Sequence, residues 1–388
     1  MTTKTVELED LPNEMQQLLV EKCDLISRCK LRAVSVGMNE LVASTKLFIP
    51  VVRIKQLSND GVMVKLTIKP FKDEYTLKFK RNENGGLRLC QSFRRDIIVE
   101  DSEPVDQAVA WFKTMCLQKN VSIGTLTIET SDKAEYIVRK FGELLQNTER
   151  SIKIKKLCVD GSGAADLMWK FMERCEVSEL KELRVMTTEE NENFELFGKQ
   201  DVIVKGLENL EIDCNSIITD EVLSLNAKIL YLKSENATED MVSCLIEKFM
   251  MKREAGSAFC IENPTNKIFR DILPNGFSEA KGSTSYRKDY ENYLDNLPTV
   301  YLRVSEDSVR LEVGTNTLYR FWTNNDDAVM MPRPLLSDDS DSDYDVSDHF
   351  EDMGDDYYYD YDPDSDILER WLGSDIEDED EIDFNDLY

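Results

Sequence analysis

The sequence predicts an α/β protein in three parts: a small helical module at residues 7–48, a strand-rich repeat domain at 49–323 and a disordered acidic tail at 324–388. Three observations predict this organisation. The spacing of apolar residues changes from a helical to a strand period near residue 60, a short apolar strand motif then recurs, and negative charge is concentrated near the C-terminal end.

The first part shows apolar residues at helical spacing between residues 9 and 44. Asp10 and Pro12 supply a capping residue and an early proline, which favour the start of a helix here. The apolar positions of this first helix that share one face are Met15, Leu18 and Leu19. Because three short helices bury little core of their own, we expect part of this apolar surface to await a partner.

The next stretch alternates apolar and polar residues with a period of two over residues 62–68 and 75–79. Turn residues lie at 59–61 and at Gly85 and Gly86. This pattern predicts an antiparallel meander with one exposed face.

From residue 105 onward, amphipathic helical stretches alternate with a strand motif of the type L-x-[IVL]. The motif recurs, with a looser last copy, at residues 126–128, 157–159, 183–185, 210–212, 230–232 and 259–261. The irregular period is close to that of leucine-rich repeats, so we expect an arc of parallel strands lined by helices. A hairpin at 300–304 and 309–313 should close the sheet, whereas residues 286–297 fit either helix or loop.

The charge is very uneven along the chain of 388 residues, which has a net charge of −29. Residues 338–388 contain 23 Asp or Glu and one basic residue, Arg370, so they carry −22 and the preceding chain only −7. Such a tail fits a solvated segment that keeps the protein soluble, or a segment that attracts a basic partner protein electrostatically. It also fits a segment that competes with other ligands for the repeat domain's own basic patches. A single apolar turn within the tail has spacing that suits a partner groove and comprises Ile367, Leu368, Trp371 and Leu372.

Several kinds of chemistry are excluded by composition. The single histidine, His349, lies in the tail, which rules out a folded His-based triad or a mixed Cys/His zinc site. The nine cysteines have irregular spacing without a C-x-x-C motif, as expected of reduced thiols. Gly161 and Gly163 lack the rest of a phosphate loop and predict a tight turn. We therefore expect no enzyme activity and no cofactor or metal.

Location and bulk partners follow from the same composition. The N-terminus lacks the apolar region of a signal peptide, and no apolar stretch is long enough to span a membrane. We expect a cytoplasmic or nuclear protein without a membrane association. Small basic clusters alternate with apolar residues as strand faces do, so no nucleic-acid partner is expected.

The N-terminal module resembles the F-box, a motif of about forty residues that binds the Skp-type adaptor of cullin ubiquitin ligases. The resemblance rests on L-P-x-x-M-x-x-L-L at 11–19 and L-R-x-V-S at 31–35. It implies that the Skp adaptor would be contacted by Leu11, Pro12, Met15, Leu18, Leu19, Leu31 and Val34, the last two partly structural. Where F-boxes often carry a tryptophan, this chain has Gly37, Met38 and Asn39.

The repeat domain looks like the FTH domain that follows the F-box in the large roundworm-type F-box family. The resemblance is carried by S-I-K-I-K-K-L-C-V at 151–159, S-E-L-K-E-L-R-V at 178–185, G-L-E-N-L-E-I at 206–212 and A-K-I-L-Y-L-K at 227–233. It implies a substrate-recruiting adaptor of a Skp-cullin-F-box ligase whose protein substrate is unknown. The alternative is a non-ligase interaction protein, chaperone-like, whose acidic tail binds basic proteins and whose N-terminal helices only cap the array.

Overall fold

In this computed structural model, the structure describes residues 11–314 apart from 24, 59–60, 69–72, 84, 92–95, 100–101, 132–133, 188–193, 198–200, 264–277, 280–284, 289–297, 299 and 306. The acidic tail predicted at 324–388 therefore lies outside the described residues.

The described residues contain eight α-helices and one short 3-10 helix at Asp220–Ser224. The helices are α1 Asn13–Lys22, α2 Leu25–Arg32, α3 Val36–Ser44, α4 Pro104–Cys116, α5 Glu135–Gln146, α6 Ala164–Met172, α7 Asp201–Lys205 and α8 Glu239–Lys252. The strands are β1 Leu47–Ser58, β2 Gly61–Ile68, β3 Asp73–Arg81, β4 Leu87–Gln91, β5 Ile97–Val99, β6 Val121–Glu129, β7 Lys153–Asp160, β8 Glu182–Met186, β9 Phe194–Glu195, β10 Asn209–Ile217, β11 Ile229–Lys233, β12 Ala258–Glu262, β13 Ser278–Glu279, β14 Ser285–Lys288, β15 Val300–Val304 and β16 Ser308–Val313. The predicted α/β class is confirmed.

The described strands form one mixed sheet with the order β13-β14-β15-β16-β12-β11-β10-β8-β7-β6-β1-β2-β3-β4-β5, and β9 pairs with β10 outside this path. The seven central strands, which follow the order β1, β6, β7, β8, β10, β11 and β12 across the sheet, run parallel to one another. Antiparallel sections flank them, with β2–β5 beside β1 and β13–β16 beside β12. The six predicted strand motifs lie within β6, β7, β8, β10, β11 and β12. Each of these strands lies beside the next one in chain order, so every helical crossover joins neighbours.

Two rows of buried apolar side chains cross the central strands and hold them in register. The first row, each residue paired with the next, is Val52, Leu126, Leu157, Leu183, Leu210, Leu230, Phe259 and Leu311. The second row, two residues further along the parallel strands, is Ile54, Ile128, Val159, Val185, Ile212, Leu232, Ile261 and Val309. Because a slip of one residue would expose a whole row, the L-x-[IVL] motif fixes the register.

The helices cover the face of the sheet that carries these two rows. Phe112 of α4 lies 5.6 Å from Phe141 of α5 between ring centroids, and Phe141 lies 5.9 Å from Phe171 of α6. All three rings are fully buried. The three consecutive helices therefore contact one another through a row of buried aromatic rings above the sheet.

A tight turn joins β7 to α6, as the two glycines predicted. Gly161 has φ +103° and donates its N–H to the carbonyl oxygen of Met186 at 2.9 Å. A Cβ on Gly161 would lie 2.1 Å from the carbonyl oxygen of Thr130, so the backbone immediately after β6 occupies the side-chain space. Only glycine meets both demands.

The C-terminal hairpin predicted at 300–304 and 309–313 is present as β15 and β16, and β16 pairs with β12 to extend the sheet. Within 286–297, interpreted from sequence as helix or loop, the described residues belong instead to a strand, β14 at Ser285–Lys288. Its pairing with β15 supplies the hydrogen bonds that the local sequence pattern does not reveal.

Candidate protein-interaction surfaces

The first candidate surface lies on α1 and is apolar. Met15, Leu18 and Leu19 are 51%, 57% and 47% exposed, respectively, and their spacing places them on one side of the helix. We call these three residues the apolar face. Exposed large side chains at three successive positions of one helical face are typical of an interaction site rather than of an isolated surface residue.

The other side of α1 is buried where the helix packs against the module, including α3, and local hydrogen bonds fix the start of the helix. Gln16 and Val20 are buried there, and the Gln16 side chain donates from Nε2 to the carbonyl oxygen of Leu11 at 2.8 Å. Pro12 stands at the N-cap, and its carbonyl oxygen accepts hydrogen bonds from the N–H groups of Met15 and Gln16. The apolar face is thus presented by a helix whose own anchoring does not use those three side chains.

A buried arginine fastens the three helices to the first strand. Arg28 of α2 is 4% exposed and donates from Nε to the carbonyl oxygen of Cys23 at 3.2 Å. Its Nη1 donates to the carbonyl oxygens of Lys46 at 3.0 Å and Thr45 at 3.4 Å. Burial lowers the pKa of Arg28, and Cys23 and Glu21 oppose this change. The guanidinium joins the end of α1 to the start of β1, and nothing in the sequence analysis singled it out.

Polar contacts between side chains and backbone also connect the helical module to the sheet. Arg32 donates from Nη2 to Oε1 of Gln118 at 3.4 Å, and Asn120 donates from Nδ2 to the carbonyl oxygen of Ala43 at 2.6 Å. Ser35 caps α3 by accepting the N–H of Met38 at 3.2 Å. The Arg32–Gln118 and Asn120–Ala43 contacts place the module against the turn that follows α4, whereas the Ser35 cap fixes the start of α3.

The remaining predicted contact residues differ in exposure. Pro12 is exposed, Leu11 and Leu31 are half-buried, and Val34 is 67% exposed. Val34 was expected to be partly structural, but it lies in the turn between α2 and α3, where no described element covers it. The apolar turn predicted in the tail, with Ile367, Leu368, Trp371 and Leu372, lies outside the described residues.

The second candidate surface is the face of the sheet opposite the helices, which we call the open face. One row of paired residues across it reads Arg53, Thr127, Cys158, Arg184, Glu211 and Tyr231, and all six are partly exposed. Ion pairs connect neighbouring strands, including Lys156–Glu182 at 3.1 Å and Arg184–Glu211 at 3.4 Å. The open face is therefore polar and charged, in contrast to the apolar face of α1.

Carboxylates lie toward the ends of the parallel strands on the open face. Burial raises the pKa of Asp160, and the nearby charge of Glu129 raises it further. Burial also raises the pKa of Tyr231, and the charges of Glu262 and Asp213 add to this effect. These shifts show a partly desolvated surface on which burial and neighbouring carboxylates disfavour the ionised forms of Asp160 and Tyr231.

Neither a metal-binding cluster nor a membrane-spanning helix is found in the part of the chain that the structure describes. Across the residues described between 11 and 314, no group of three or more His, Cys, Asp or Glu side chains is arranged to hold a metal ion. Within the same ranges, no helix combines the length and apolar character needed to cross a bilayer.

Comparison with known proteins adds no family to this picture. No protein-family model, no curated protein and no solved structure matches the chain.

Proposed function

We propose that this protein is a substrate-recruiting adaptor of a Skp-cullin-F-box ubiquitin ligase. In this proposal the N-terminal helices bind a Skp-type adaptor and the repeat domain holds a protein substrate. The observation that carries it is the apolar face: Met15, Leu18 and Leu19, which the F-box resemblance names as contacts, are all exposed on a helix anchored by other residues.

The anchoring of the module supports the same function. A contact helix must keep its orientation while its apolar side chains remain available, because ordering it at the moment of binding would cost affinity. Arg28 and the Arg32–Gln118 contact provide that fixed orientation through the backbone of β1 and the turn after α4. We therefore assign residues 7–48 as an F-box.

For residues 49–323 we propose an irregular leucine-rich-repeat-like arc of the FTH type. Support comes from parallel strands that lie side by side in chain order, from the two buried rows, and from the described helices, which cover the face that carries those rows. The open face then offers an extended charged surface for a substrate. The adaptor would perform no chemistry itself. It would act in the cytoplasm or nucleus by raising the local concentration of substrate lysines near the charged ubiquitin carrier.

The test is assembly from purified components. The full chain is mixed with a Skp-type adaptor and a cullin core and separated by size-exclusion chromatography. We expect one complex containing all three proteins, and a chain ending after Ser337 should assemble equally well. The alternative function, an acidic tail that binds basic proteins, predicts no such complex and predicts that removing residues 338–388 abolishes partner binding.

A further inference from the structure

The antiparallel end of the sheet carries a concentration of positive charge on its open face. We call five cationic residues of β1, β3 and β4 the basic face: Arg53, Lys55, Lys78, Lys80 and Arg88. Lys80 and Arg88 are paired directly across β3 and β4, and Met63 of β2 pairs with both Lys55 and Lys78. The cationic positions therefore lie in adjoining rows across four neighbouring strands.

The strand period explains why these side chains face solvent. Leu77 and Phe79 alternate with Lys78 and Lys80 along β3 and are buried, on the side where α4 contacts β2 and β3. Lys78 and Lys80 consequently lie on the opposite side, where both are exposed. No described helix lies over them.

The positive charge of this surface is only partly neutralised by the residues that the structure describes. Arg53 and Lys55 share one carboxylate, Glu129, at 2.8 and 3.5 Å. Arg88 pairs with Asp96 at 2.6 Å. Lys78 and Lys80 form no ion pair within the described ranges, so five cations meet two carboxylates on this face.

The chain contains its own complementary segment. Residues 338–388 carry −22, whereas the preceding 337 residues carry only −7, and the basic face is a local concentration of positive charge that attracts the tail. The described chain ends beside β16, nine strand spacings from β3. At about 4.8 Å per spacing this is about 43 Å along the sheet, and the 24 residue-to-residue steps from Gly314 to Asp338 can span about 80 Å when extended.

We propose that the acidic tail, residues 338–388, docks in cis on the basic face of β1, β3 and β4. A docked tail shields this face from other polyanions and leaves the apolar face of α1 free. The proposal rests on charge, register and reach, and it does not depend on the proposed ligase function.

The experiment is zero-length cross-linking of the full chain with a carbodiimide, which joins carboxylates to lysines only when they are in contact. Cross-linked peptides are quantified by mass spectrometry at about 50 mM and about 500 mM NaCl, where the screening length falls severalfold. An equal mixture of isotope-labelled and unlabelled chains separates links within one chain from links between copies. The matched variants are Lys78→Glu, read at Lys80, and Lys80→Glu, read at Lys78. The control is Lys113→Glu/Lys119→Glu, which changes two exposed lysines away from the basic face.

We expect tail carboxylates to link to Lys78 and Lys80 at least about fivefold more often than to Lys113 and Lys119. These links should form within single chains, and their number should fall severalfold at high salt. The control variant should keep the tail links to Lys78 and Lys80, whereas Lys78→Glu and Lys80→Glu should each lower the links to the lysine that remains. The wild-type map is decisive even if a variant fails to fold. The proposal would be overturned by equal linking to all four lysines or by linking that does not change with salt. It would also be overturned by links found only between labelled and unlabelled chains, which would assign the basic face to a second copy of the protein.

Discussion

Three glycines allow the tight turn after β7 to be tested in isolation from the rest of the fold. Gly161→Ala introduces a methyl group at a residue with φ +103°, where it would lie 2.1 Å from the backbone oxygen of Thr130. The positive φ costs about 1–2 kcal/mol, and the forced shift of backbone costs about 1–3 kcal/mol more. We therefore expect a loss of about 2–5 kcal/mol, a large part of a typical domain's stability of about 5–15 kcal/mol.

The matched controls separate the two costs. Gly85 has φ +90° but no heavy atom within 4 Å of its Cβ position, so Gly85→Ala should cost only the conformational part, about 1–2 kcal/mol. Gly37 lies in α3, and the nearest atom to its Cβ position is 4.0 Å away, so Gly37→Ala should gain up to about 1 kcal/mol. The assay is urea unfolding of the full chain, read at unchanged m-value. If Gly161→Ala were no more destabilising than Gly85→Ala, the close approach of Gly161 to Thr130 would be refuted.

Two further perturbations test the buried arginine and the open face. Arg28→Met removes the donor to three backbone carbonyl oxygens and should lower the free energy of unfolding by about 2–4 kcal/mol. The readout is faster amide hydrogen exchange at α1 and at the start of β1. Unchanged exchange there would show that Arg28 does not join these elements. Burial raises the pKa of Asp160, so the native state binds a proton at this carboxyl group more tightly than the unfolded chain does. The stabilising contribution of the protonated Asp160 is therefore full below the ordinary pKa of an aspartate and is lost as the pH rises through the raised pKa. Asp160→Asn should therefore gain stability over the wild type from about pH 4 upward, and a difference in unfolding free energy that stays constant with pH would contradict this.

The central sheet was largely predictable because its motif is local. Each L-x-[IVL] copy places two apolar residues on one side of a strand, so the sequence carries both the strand and the face it buries. Leu157 and Val159, for example, pair with Leu183 and Val185 just as the repeated motif suggests. The regular order of neighbours follows from the short crossovers between copies.

Other features depend on contacts between distant parts of the chain. β1 pairs in parallel with β6, far along the sequence, and in antiparallel with β2, so it belongs to both sections of the sheet at once. Nothing in the alternation of β1 distinguishes these two partners. Arg28 escaped notice because a cation in a short helix gives the same local pattern whether it is exposed or bonded to carbonyl oxygens in the interior.

Helical spacing predicted an apolar face on α1, and the F-box resemblance named the residues of it that would contact a partner. Helical spacing placed Met15, Leu18 and Leu19 on one face but could equally have described a buried face. The structure shows that Gln16 and Val20 occupy the buried side instead. A polar residue at the buried position is what the hydrophobic pattern cannot anticipate.

The most direct test of the adaptor proposal is calorimetric titration of the full chain with a purified Skp-type adaptor. It compares the wild type with Leu18→Asp and with Gln17→Asp, a neighbouring exposed position on α1 that receives the same change in charge. We predict submicromolar binding, weakened at least about 100-fold by Leu18→Asp, about 2.7 kcal/mol, and by no more than about threefold by Gln17→Asp. No binding by the wild-type chain, or equal weakening by both substitutions, would contradict the proposal that the apolar face of α1 binds the adaptor.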